Sequence, residues 1–95
     1  MAKLPPLSGR ELVKILGEVC FRVARTRGSH CLLERGGVRV VVPLHREVKR
    51  GTLKKGILSV LEEKLGIPQR EWRRFLADRR YRKRFKERYE LVCSN

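Results

Sequence analysis

The sequence predicts an α+β domain: one helix, then a three-stranded antiparallel sheet, then further helices. Three observations carry that prediction. A capped amphipathic segment opens the chain, and three β-rich runs follow, separated by the glycine turns Gly28-Ser29 and Gly36-Gly37. Leucines at helical spacing come next. With 95 residues the chain is one small domain.

Pro5 and Pro6 keep the start extended. Ser8-Gly9-Arg10-Glu11 is a capping box, in which the Ser8 hydroxyl takes the Glu11 amide and Glu11 reaches back. Leu12, Val13, Ile15, Leu16 and Val19 then form a helical stripe with Lys14 and Glu18 outside it, which predicts a helix over Gly9 to Val19.

Phe21 to Arg27 alternates as a half-buried strand, with Phe21, Val23 and Arg25 on one side and Arg22, Ala24 and Thr26 on the other. The Gly28-Ser29 turn leads into a second strand, His30 to Arg35. Gly36-Gly37 is a two-residue hairpin signal before a third, Val38 to Val42, ended by Pro43. Such a turn pairs Arg35 with Val38, Leu33 with Val40 and Cys31 with Val42. Cys31, Leu33, Val40 and Val42 therefore share an apolar face. His30, Leu32, Glu34, Arg39 and Val41 fall on the other, so His30 is expected on the open side of the sheet.

Leu44 to Arg50 is a basic connector, and Thr52 is the expected N-cap of the next helix. Leu53, Ile57, Leu61 and Leu65 recur at i, i+4, and Gly66 fits the C′ position. A third helix begins near Gln69 and buries Trp72, Phe75 and Leu76. Beyond Ala77, Tyr81, Phe85 and Tyr89 recur about 140° out of phase with Trp72 and Leu76. The helix therefore either continues on a new buried face or breaks near Ala77. Leu91 to Asn95 is expected to be loose.

Lys and Arg outnumber Asp and Glu by 24 to 10, a net charge of +14. Self-repulsion of that size favours an anionic partner, nucleic acid first and an acidic protein second. No stretch pairs a basic face with a broad apolar one, which argues against a membrane partner. Cys20, Cys31 and Cys93 show no zinc spacing, so neither metal nor cofactor is expected. No apolar leader follows Met1, and the expected compartment is a reducing cytoplasm with Cys20 and Cys31 as small core residues.

The order of elements and the basic surface are the arrangement of small double-stranded-RNA-binding-like domains. Within it the chain resembles the HicA-type toxins, the mRNA interferases of toxin–antitoxin pairs. The residues that carry the resemblance are Ser8-Gly9-Arg10-Glu11-Leu12, Gly28-Ser29-His30, Val42-Pro43-Leu44-His45, Lys49-x-Gly51-Thr52-Leu53 and Gly66-Ile67, in that order. They span about residues 7 to 76. The resemblance implies an endoribonuclease with His30 as its catalytic residue, silenced by a HicB-like antitoxin and monomeric when free of it. Residues 1–76 would form the RNA-cleaving domain, and 77–95 a basic helical extension rather than a separate domain. The stretch from Leu53 to Gly66 is several residues longer than the usual pattern. Residues 77–95 have no counterpart in the common short form.

Metal-free RNA cleavage needs a base for the 2′-OH proton, an acid for the leaving 5′-oxygen and cations for the phosphate. Histidine serves either proton role because its ordinary pKa lies near neutrality. The 2′-OH requirement would leave DNA intact. Arg27, Gly28, Ser29, His45, Arg46, Lys49 and Lys54 form the expected RNA-binding set, with His45 a secondary acid–base candidate. Against this stands a plainer reading in which His30 only ends a strand, Gly28 and Ser29 only shape a turn, and the basic runs are solvated. The rival functions are a non-catalytic RNA-binding module and a partner-binding domain.

Overall fold

The structure is a computed structural model that describes residues 3–93. Helix α1, Gly9–Gly17, starts on the expected capping box: the Glu11 amide donates to Ser8 Oγ (3.1 Å) and the Ser8 amide to Glu11 Oε1 (3.0 Å). The backbone bond, then the hydroxyl, hold the Glu11 carboxyl below its ordinary pKa. The helix ends two residues earlier than expected. Its last turn tightens into i→i−3 bonds from Glu18, Val19 and Cys20, and Val19 still reaches the core.

Strands β1, Arg22–Arg27, β2, His30–Arg35, and β3, Val38–Pro43, form one antiparallel sheet in the order β1-β2-β3. The β2–β3 register is the expected one, Arg35 to Val38, Leu33 to Val40 and Cys31 to Val42. The last four of these residues are buried, and the sheet's other face is open.

Strand β1 departs from expectation: every one of its residues is exposed, so it is not half-buried. It is an edge strand, and the helices pack chiefly over β3. Phe21, just before it, is buried in its place. A bulge at Ala24 also breaks the alternation. Val23 pairs with Leu33 but Arg25 pairs with Leu32, so Arg25 and Thr26 lie on the opposite faces from those the uninterrupted pattern assigns.

The second helix also starts differently. Gly51 already has helical dihedrals and the Leu53 amide donates to Lys49 O (2.9 Å), which puts Thr52 inside the helix rather than at its N-cap. A π-helical stretch, Thr52–Leu58, runs directly into α2, Ser59–Leu65. Its wider turn lets Leu53, Ile57, Leu58 and Leu61 all reach the core. Gly66 ends α2 in the left-handed conformation (φ 71°), as its C′ position requires.

Helix α3, Gln69–Ala77, buries Trp72, Phe75 and Leu76. The chain then breaks at Asp78, which is extended, and α4, Tyr81–Arg88, begins. Phe85 lies 4.8 Å from the Trp72 ring and 4.6 Å from that of Phe75. Tyr81 and Tyr89 both donate to Glu71 Oε1, at 2.6 and 2.8 Å. The aromatic spacing of α4 therefore serves packing.

The tail is fastened as far as Cys93. Leu91 is buried and Cys93 is disulfide-bonded to Cys20, 73 residues away. Cys20 is thus no ordinary core thiol, whereas Cys31 is free and buried. Met1, Ala2, Ser94 and Asn95, on which part of the leader and tail expectations fell, lie outside the described residues. The helix–sheet–helix order is compatible with a double-stranded-RNA-binding-like fold.

Candidate functional site

The site grows from the Gly28-Ser29 turn. Gly28 takes a positive φ of 58°, which a side chain would resist, and the turn brings Arg27 and His30 into register as cross-strand partners. Its other side is clamped, because the Leu44 amide donates to Ser29 O at 2.6 Å. His30 therefore stands at a corner between Arg27 on β1 and Pro43 on β3.

Alternation along β2 turns His30 to the open face, where it is exposed. There it lines a shallow groove of about 170 Å³ with Arg25, Arg27, Leu32 and Val41. Two guanidinium groups beside an accessible imidazole suit a phosphodiester. Leu32 and Val41, the latter 51% exposed, give the groove an apolar wall against which a base or ribose can lie. Among the described residues no carboxylate lines it. Glu34, farther along the same face, is paired with Arg39 at 3.3 Å. Among the described residues no three His, Cys, Asp or Glu side chains gather into a metal-binding group.

Of the residues expected from sequence, the structure brings Arg27, Gly28, Ser29 and His30 together. His45, Arg46, Lys49 and Lys54 are exposed on the connector and in the π-helical stretch, and none lines the His30 groove. His45 acts through its backbone, accepting the Gly9 amide at 2.9 Å. A Cβ on Gly9 would come within 2.7 Å of Leu44 Cα, so only glycine permits this approach of α1 to the end of β3. The Ser8-Gly9 and Pro43-Leu44-His45 segments, far apart in sequence, are one contact in space.

Sequence reasoning missed Arg25. Its only signal would have been the bulge at Ala24, which no local pattern announces. The hairpin register puts Leu32 and Val41 on the correct face but assigns them no role.

The fold and this groove define a class: a small basic α+β domain presenting an arginine-flanked histidine on an open sheet. The family model described as HicA toxin of bacterial toxin–antitoxin matches residues 9–60, more than half of the chain. The chain belongs to the HicA toxin family, which gives it the toxin role of a toxin–antitoxin module. No curated protein and no solved structure matches it. The family match takes in α1, the sheet and the π-helical stretch, and stops within α2.

Proposed function

We propose that this toxin is an endoribonuclease that cleaves mRNA without a metal ion, with His30 as general acid or base. The observation that supports it is the groove in which His30 stands beside Arg25 and Arg27 on an open face. In the proposed reaction the ribose 2′-oxygen attacks the adjacent phosphorus and the bond to the 5′-oxygen breaks. His30 either removes the 2′-OH proton or supplies one to the leaving oxygen. The arginines stabilise charge on the phosphate. Gly28 and Ser29 shape the turn. His45, Arg46, Lys49 and Lys54 bind RNA beyond the groove, with His45 the secondary candidate for the complementary proton transfer. Residues 1–76 form the cleaving unit and 77–95 an extension of it. A HicB-like antitoxin masks the His30 face, the free toxin is a monomer, and the reaction belongs to the cytoplasm.

One observation favours a second reading, a non-catalytic RNA-binding module: among the described residues, His30 is the one acid–base group that lines the groove. Incubation of purified protein with RNA and matched DNA in EDTA separates the two. Cleavage of RNA alone, reduced by about 10²–10⁴ in His30→Ala with binding retained, is the expected result. Equal cleavage by wild type and His30→Ala sinks the role of His30, and binding without cleavage by either supports the second reading.

A further inference from the structure

We infer that α4 carries a second RNA-binding surface, one that grips the phosphate backbone outside the His30 groove. The inference rests on RNA being the substrate, but its ground is separate. It lies in residues beyond the family match.

The segment from Arg79 to Arg88 holds seven basic residues, and the fold divides them. Arg82 is used internally: it donates to the Phe75 and Leu76 carbonyls at 3.0 and 3.2 Å and to Glu18 at 3.3 Å. Lys86 also reaches Glu18, and Arg88 reaches Glu71. Arg79, Arg80, Lys83 and Arg84 are exposed, and among the described residues none is in an ion pair. Arg79 borders a groove that also contains Glu11 and Glu18. Arg80, Lys83 and Arg84 are spaced i, i+3 and i+4, so they form one ridge. Glu87, next along that ridge, makes no ion pair with them.

Such a ridge works against its own helix. Like charges one turn apart repel, and the carboxylate that meets the start of α4 comes from Asp78, before the helix, which accepts the Arg80 amide at 3.0 Å. An eight-residue helix of this kind would not persist alone. It is held from outside, by burial of Tyr81 and Phe85 and by the Glu71 bonds. Cations kept together against repulsion are relieved by a polyanion.

That polyanion is a nucleic-acid backbone rather than a protein. From Arg79 to Glu90 no apolar side chain is exposed and Val92 beyond it is a lone exposed valine, so a protein partner would find little apolar anchor here. Backbone phosphates require only charge. The buried side of α4 packs on Trp72 and Phe75, within the core beneath the sheet, whereas His30 is on the sheet's open face. None of the ridge residues lines the groove, so an RNA confined to the groove does not touch them. A longer strand would.

The test uses the full chain and 2′-O-methyl RNA, which lacks the 2′-hydroxyl nucleophile, in a short form of about 4 nucleotides and a long form above about 16. Salt dependence of binding is compared for wild type and the triple variant Arg80→Gln, Lys83→Gln, Arg84→Gln. Loss of up to three phosphate contacts lowers the slope of log K against log salt by about 2 on long RNA and weakens binding about tenfold at low salt. Short-RNA affinity stays unchanged. An unaltered slope and affinity on long RNA overturns the inference, as does equal loss on both lengths. A variant that keeps long-RNA affinity but loses antitoxin binding also overturns it, in favour of an acidic protein partner. If wild type binds neither RNA, the RNA-cleaving reading falls with it.

Discussion

Arg27 and His30 are cross-strand partners, the last residue of β1 and the first of β2, separated only by Gly28 and Ser29. That pairing sets a guanidinium and an imidazole side by side without any long-range contact. The clamp from Leu44 to Ser29 then fixes the corner against β3.

Two glycines should fail for different reasons. At Gly28 nothing lies within 4 Å of an added Cβ, so Gly28→Ala meets only the cost of its positive φ, about 1–2 kcal/mol. Gly28→Asn should cost less, because asparagine tolerates the left-handed region. At Gly9 the obstacle is the backbone of Pro43 and Leu44, and Gly9→Ala should lose about 1–3 kcal/mol as that segment is displaced. Urea denaturation of the three variants checks the order.

Arg25→Ala should leave stability nearly unchanged, since its side chain is exposed, yet weaken RNA binding by about 1.5–3 kcal/mol if it donates to a phosphate. Arg25→Lys should recover only part of that, because the ammonium keeps the charge but not the planar fork. RNA affinity together with a thermal melt measures both. A melt that drops as far as the affinity would place Arg25 in the fold instead.

Hydrogen bonds from Tyr81, then Tyr89, hold the Glu71 carboxyl below its ordinary value of 4.5. Glu71 therefore contributes stability above the ordinary carboxylate range, lost as pH falls towards its lower folded value. Burial, then the bond to Glu71, pushes both tyrosines above 10.0. Their contribution is complete below that value and is lost as pH rises through the higher folded one. Melting temperature against pH should fall at both ends, and Glu71→Gln should flatten the acid limb.

Reduction of the Cys20–Cys93 bond should remove about 2–4 kcal/mol of stability, because the bond closes a long loop in the unfolded chain. Cys93→Ser should match the reduced wild type. Buried Cys31 should resist alkylation in the folded protein and react only on unfolding. Denaturation with and without reductant, followed by thiol labelling, reads all three.

What the sequence determined on its own was local. The Ser8–Glu11 box, the Gly36-Gly37 register and the left-handed Gly66 each depend on residues within a few positions of one another. So does the face on which His30 lies. Pairing and alternation leave such features little choice. Tertiary structure decided the rest. Whether β1 is covered depends on where the helices lie, and whether Thr52 caps or continues its helix depends on how the connector enters. The Cys20–Cys93 bond joins positions that no spacing relates. The Ala24 bulge moved Arg25 to the His30 face, and with it half of the groove's positive charge. One inserted residue reverses every later side chain on a strand, and only the partner strand reveals that it is there.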